Sequence, residues 1–265
     1  MSKQDLQILP FDLQNFAHLF IDTNFDLNQA LWGAIKHNYK FSSIDVRNLI
    51  STGLDMNTPL DSKSLCTRGE TLLTHALQYE PHNWLIELLL VNGADPNKIN
   101  NQGRFPLVLA AIKGFYNLVQ LLLDHGANIN QQDQYGNTVL RLALLEGHKK
   151  IAKLLIYKGA NIKLKLKKSQ TTILVNAIEK GFTKIVKLLL DRGAKKKINQ
   201  IDQYDYSSLS LASVNNHPET IKLLVQYGAD INYKEGNIRK PCIYYAVTNN
   251  HHDLVKFLLD NGCTL

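Results

Sequence analysis

Residues 101–130 read NQGRFPLVLAAIKGFYNLVQLLLDHGANIN, and residues 134–163 read QYGNTVLRLALLEGHKKIAKLLIYKGANIK. Laid over one another they agree in register: Leu107 falls on Leu140, Ala110 on Ala143 and Gly126 on Gly159. The same spacing runs through most of the chain. Gly93, Gly126, Gly159 and Gly193 lie 33, 33 and 34 residues apart, Gly228 and Gly262 extend the series, and an irregular Gly53 begins it. A constant period of this size marks a stacked repeat protein, in which each unit buries its apolar face only against its neighbours.

Each recurrence has a physical reading. Leu107 and Ala110 lie three apart on one face of a first helix, where a small alanine lets a second helix come close. Leu118, Leu121 and Leu122 give a second helix its i, i+3, i+4 stripe toward the next unit. The glycine that follows supplies a left-handed cap, a conformation that costs any residue with a Cβ. Asn-Gln-Gly and Gln-Tyr-Gly, ahead of the first helix, are turn chemistry for a hairpin finger. Across the chain the first-helix leucine recurs as Leu73, Leu107, Leu140, Leu174 and Leu209, with Ile243 last; the alanine recurs as Ala76, Ala110, Ala143, Ala177, Ala212 and Ala246.

With these residues in place the chain resembles the ankyrin-repeat family, whose pattern runs through a turn with Gly, T-P-L-H-x-A-A, G-H, an apolar second helix and G-A-D-x-N. The resemblance covers residues 66–265 in about six units. It implies an all-α fold: an ankyrin-repeat solenoid of stacked helix-turn-helix units with β-hairpin fingers, in one elongated body. Residues 28–65 read as a degenerate capping repeat ending Gly53-Leu54-Asp55-Met56-Asn57, and residues 1–27 as an N-terminal helical extension or cap, since an end unit has an open apolar face. Some positions depart from the family pattern. The histidine of T-P-L-H is replaced by Thr74, Val108, Arg141, Val175, Ser210 and Tyr244. The first full unit carries one extra residue between Tyr79 and Trp84, where Pro81 is expected to end the first helix early. The fourth unit is two residues longer after Gly193, which predicts a lengthened finger.

Composition excludes several classes. The 265 residues are 45% apolar and 20% charged, and no apolar run approaches the ~18 residues a membrane span needs. Met1–Gln7 lack the basic and apolar regions of a secretory signal. The three cysteines, Cys66, Cys242 and Cys263, are odd in number and widely spaced, which argues against a disulfide framework or a Cys-based zinc site. A cytoplasmic setting and a monomer are expected. His148, His217 and His251 take the G-H position, where a helix-start residue satisfies backbone groups. His251 and His252 point ~100° apart on a helix and do not converge on a metal. No phosphate loop, nucleophile elbow or H-E-x-x-H pair occurs. The expectation is a non-enzyme with no cofactor, no metal and no catalytic residue.

Charge is unevenly spread. Between Lys149 and Lys197 stand 15 Lys or Arg against only two acids, Glu179 and Asp191, whereas the whole chain is +7. The densest runs are Lys163, Lys165, Lys167 and Lys168, entering one finger, and Lys195, Lys196 and Lys197, entering the next. These two runs are expected to form one patch that attracts acidic partners and weakens with salt. Three readings stand side by side: a solvated face, a site for an acidic protein surface, or a site for anionic lipid or nucleic acid. With one Arg and two aromatics in the window, sequence-specific nucleic-acid reading is disfavoured.

Resemblance to the family implies a protein-binding scaffold that uses finger tips and the concave face, along the exposed edge of the first helices. Carried onto this chain, those places are Arg68, Tyr79, Arg104, Lys113, Tyr135, Glu146, Lys168, Tyr204, Tyr206 and Lys240. Tyr135, Tyr204 and Tyr206 are the preferred anchors, because aromatic residues bury large area with few rotors to freeze. The partner expected is an acidic or mixed-surface protein. The Lys- and Asn-rich, Arg-poor composition resembles chains of AT-rich genomes, and ankyrin-repeat proteins of intracellular bacteria and large viruses often act as effectors in a host cell.

Overall fold

A computed structural model of the chain describes residues 47, 50, 55–58, 70–79, 82–100, 102–164, 171–199, 206–233 and 240–264, the Lys197 side chain excepted. Arg68, Tyr204, Lys165, Lys167, Lys168 and Cys66 lie outside them, as do the N-terminal extension and most of the capping repeat. Two compact units divide the chain, Met1–Asn128 and Ile129–Leu265.

In the first unit α1 (Leu72–Tyr79) packs on α2 (Asn83–Val91), and α3 (Pro106–Ile112) packs on α4 (Tyr116–Asp124); α1 also meets α3, and α2 meets α4. The second unit continues the pairing with α5 (Val139–Leu145) and α6 (Lys149–Tyr157), α7 (Ile173–Glu179) and α8 (Thr183–Asp191), α9 (Ser208–Val214) and α10 (Pro218–Gln226), and α11 (Cys242–Thr248) and α12 (His252–Asp260). First helices stack as α5, α7, α9 and α11, and second helices as α6, α8 and α10. The fold is all-α, and its sheet content among the described residues is a single antiparallel bridge between Gln132 and Thr138.

Helices of seven to nine residues are too short to hold themselves in water, so packing must supply the stability. The repeating alanine is 0% exposed in all six pairs, which is why a larger side chain has no room there. In α4 the buried stripe is Leu118, Val119 and Leu122, while Leu121 is half-buried. Helix starts follow the T-P-L position: Thr138, Thr172 and Ser207 each accept the backbone N–H three residues on with their hydroxyls. Thr71 does the same for Thr74, whose own hydroxyl donates back to the Thr71 carbonyl. After each second helix a glycine enters the left-handed region, as at Gly126 (φ +85°), and after Gly93, Gly126, Gly159, Gly228 and Gly262 the N–H of the next residue closes onto the helix.

Within each unit, successive repeats are also joined by a ladder of asparagines. Asn97 donates its side-chain N–H to the Gly126 carbonyl and accepts the Asn128 N–H at 2.7 Å. Asn57 does the same toward Gly93 and Asp95, and Asn232 toward Gly262 and Thr264. Asn130 accepts from Asn161, and Asn199 from Asp230. Asn57 thus places the end of the sequence-predicted capping repeat in the position of an ordinary rung.

Two local expectations are revised. The first helix of the first full unit does not end early: α1 has eight residues where every later first helix has seven, so the inserted residue lengthens it before Pro81. The two extra residues of the fourth unit are wound into a 3-10 helix, Ala194–Lys197, whose C-cap Ile198 is buried. Cys242 and Cys263, distant in sequence, meet as buried thiols with sulfurs 4.0 Å apart and no disulfide between them, and burial pushes the Cys263 thiol up.

Candidate binding surfaces

Among the described residues, a turn tip of the second unit carries the exposed Tyr135. Asp133 builds it: its carboxylate accepts the N–H groups of Tyr135 and Asn137 and the side-chain N–H of Asn137, all within 2.9 Å. The Asp133 N–H donates to the Asn137 carbonyl, and the Gly136 N–H closes the turn on Asp133. Asn100 builds the matching turn in the first unit, accepting the N–H groups of Gln102 and Arg104. Tyr135 stands 68% exposed on this frame. A large ring held in water by a fixed turn adds nothing to the core and is preorganised for contact.

A second aromatic group gathers at the last two helix pairs. The rings of Tyr206 and Tyr245 meet edge to face at 5.2 Å, those of Tyr244 and Tyr245 at 5.4 Å, and the Lys240 ammonium lies 3.6 Å from the Tyr244 centroid. Tyr206 is therefore half-buried against the following repeat, whereas Tyr244, one residue before the buried Tyr245, presents its ring with Val247. Tyr244 replaces the T-P-L-H histidine, and that substitution was the sequence signal for an exposed aromatic on a first helix. Lys240 and Tyr206 come together through this cluster; Tyr135 does not belong to it.

The remaining expected contacts are distributed. In the first unit Arg104 is exposed, Tyr79 packs its ring 4.5 Å from buried His75, and Lys113 donates to the Gln78 carbonyl, burial holding its pKa down. Lys113 therefore ties α3 to α1 while its side chain stays exposed. In the second unit Glu146 is exposed, and so are Lys163, Lys195 and Lys196. Arg141, also in the place of the family histidine, is half-buried; burial lowers its pKa while Glu179 and Asp133 pull it up.

The lysines have a second home that the finger runs do not suggest. Lys149, Lys150 and Lys153 of α6 and Lys184 and Lys187 of α8 are all exposed along an open groove of about 610 Å³ between the two helices. Its floor includes Phe182 and Ile185, both buried, and half-buried Leu188. The spacing of these lysines on two successive second helices is legible in the sequence, though the finger runs beside them are denser.

Within the second unit, two histidines of the G-H position act between repeats. His217 donates from Nε2 to the Glu179 carbonyl and His251 from Nδ1 to the Ser213 carbonyl, each at 3.0 Å and 38 residues back. Each thus satisfies a carbonyl at the end of the previous first helix, and neither caps its own helix with its side chain. Among the described residues no cluster of three or more His, Cys, Asp or Glu side chains could hold a metal ion, and no helix is long and apolar enough to cross a membrane.

Paired short helices, glycine caps, an asparagine ladder and exposed tips define a repeat protein of the binding-module class. The family model for ankyrin repeats, in three copies, matches residues 73–166 and 161–235, and the chain belongs to the ankyrin-repeat family. Among curated proteins no match is found. Ankyrin repeats serve in general as protein–protein interaction modules, and nothing in the arrangement of side chains described above assembles a catalytic site.

Proposed function

We propose that the protein is a scaffold that docks a protein partner on its turn tips and first-helix edges, with Tyr135 and the Lys240–Tyr244 pair as anchors. The observation that carries this reading is the exposed Tyr135 ring on a turn fixed by Asp133. Docking onto a preformed turn freezes few rotors, so the ring's buried area converts into affinity. Tyr244 adds a ring already oriented by Lys240. Action as an effector inside a host cell is supported by the Lys- and Asn-rich, Arg-poor composition together with the family resemblance.

The test is quantitative affinity capture from eukaryotic cytosol at two salt concentrations, with wild-type protein and a Tyr135→Ala/Tyr244→Ala variant. A discrete protein retained at high salt and reduced about tenfold or more by the double substitution is expected, in line with the loss of two anchor residues. Undiminished capture by the variant sinks the reading. A salt-sensitive mixture of nucleic acid or lipid that vanishes with Lys195→Glu and Lys196→Glu replaces it with polyanion binding.

A further inference from the structure

We infer that the groove between α6 and α8 is a second docking site, on a face separate from the tyrosine tips, and that it receives a short acidic segment of a protein with one bulky apolar side chain flanked by carboxylates.

The first argument comes from where the charge sits. A helix N-terminus carries partial positive charge and is stabilised by acids in its first turn. Two other second helices of this unit obey that rule: α10 has Glu219 in its first turn and α12 has Asp253. The two helices of the groove reverse it, having no acid there and placing Lys149, Lys150 and Lys184 in those turns. Lys149 and Lys153 are then i, i+4 neighbours of like charge, and Lys184 and Lys187 are i, i+3 neighbours, which also opposes helix formation. On α10 the exposed Lys222 is paired with Glu219 at 2.8 Å, whereas none of the five groove lysines has an ion-pair partner among the described residues. Asp191, a carboxylate lining the groove, is engaged by the Tyr227 hydroxyl. Charge placed against the fold in two consecutive repeats, and balanced in the next two, is a feature that folding alone does not require.

The shape of the site selects the occupant. Lysines stand on both walls, and the floor is apolar, so a ligand must present anionic groups on either side of something hydrophobic. Two nine-residue helices make a trough about 13 Å long, the length of roughly four extended residues. A lipid surface is flat and reaches rim lysines but not a recessed floor. For single-stranded nucleic acid the rings are poor stacking platforms: Phe182 is buried beneath the Lys149 ammonium, 4.7 Å from its centroid, and Tyr157 is flanked by Lys153 and Arg192. A protein segment with carboxylates around one leucine-like side chain satisfies walls and floor together.

The probe is a fluorescein-labelled peptide, Gly-Glu-Glu-Leu-Glu-Glu-Gly, titrated by anisotropy into the full chain. A Lys149→Gln/Lys153→Gln/Lys187→Gln variant is expected to weaken binding about tenfold or more, because charge complementarity is removed from both walls. Replacing the probe's Leu by Ser is expected to weaken it about fivefold through the floor. Lys163→Gln/Lys195→Gln/Lys196→Gln, at the finger runs, and Tyr135→Ala are expected to leave it within about twofold, so failure here is distinguishable from failure of the tyrosine surface. Circular dichroism establishes that the variants are folded. The inference is overturned by the absence of saturable peptide binding, by equal losses in the two lysine variants, or by no effect of the Leu→Ser change. It is also overturned if phosphatidylserine vesicles or a single-stranded oligonucleotide bind the groove more tightly than the peptide at physiological salt.

Discussion

Gly147 and Gly181 hold the same place in successive repeats, just before the second helix, and both lie in the left-handed region at φ +83° and +64°. Their surroundings differ. A Cβ on Gly147 would meet nothing within 4 Å, but one on Gly181 would stand 2.6 Å from the His217 ring, which is bonded to the Glu179 carbonyl. Gly147→Ala is therefore expected to cost only the backbone penalty of about 1 kcal/mol. Gly181→Ala pays that penalty and displaces the imidazole, adding about 1–2 kcal/mol for a strained contact and a lost hydrogen bond. Urea unfolding of the two variants checks the difference, and equal losses would mean the His217 bond contributes nothing. The next two repeats put Asn216 (φ 53°) and Asn250 (φ 59°) in this place, the residue type that tolerates the conformation best after glycine. The helix start at this position was legible in the sequence through the G-H pattern. The partner of His217 was not, because a repeat pattern locates helix starts without saying which carbonyl of the preceding unit each start faces.

At the level of the repeat element, the asparagine ladder has one irregular rung. Where other repeats end in Asn97, Asn130, Asn199 or Asn232, the unit capped by Gly159 ends in Lys163, and the following Gly193 leads directly into the 3-10 helix. The Lys195 N–H corresponds to the donor that meets asparagine elsewhere, and it belongs to the opening turn of that helix, whose N–H groups have no partner within it. Lys163→Asn is expected to supply the missing acceptor and raise stability by about 0.5–1.5 kcal/mol, the net worth of one such hydrogen bond. Lys163→Gln removes the charge without the short amide and serves as the control. A denaturation midpoint that moves equally in both variants would assign the gain to charge alone. The helices themselves were readable from spacing, since apolar periodicity reports burial directly. The 3-10 turn was not: two extra residues can enlarge a finger or wind into the cap before it, and only the burial of Ile198 decides between them. Tyr206 is half-buried for a related reason, its ring having a neighbour in Tyr245 that sequence order does not reveal.

Over the whole molecule, the excess of positive charge is not a uniform bath. A net +7 on 265 residues is modest, yet five exposed lysines share one groove on two short helices. The sequence count identified the basic window, but assigning its lysines to fingers or to helix faces required the helix boundaries. If the groove lysines oppose the fold, their like-charge pairs and first-turn positions together cost about 1–2 kcal/mol at low ionic strength. Salt screens that cost. The thermal midpoint of the wild-type chain is therefore expected to rise by a few degrees as KCl is increased from low to moderate concentration, the shift that about 1–2 kcal/mol produces in a chain of this size. The Lys149→Gln/Lys153→Gln/Lys187→Gln variant is expected to start higher and to rise less. Lys163→Gln/Lys195→Gln/Lys196→Gln removes the same number of charges from the loops and corrects for net charge. Should both variants flatten the salt response equally, the penalty would belong to the molecule's total charge and not to the groove. A response flattened by the groove variant alone would mean that the fold tolerates a local electrostatic cost at the one place where an acidic segment would relieve it.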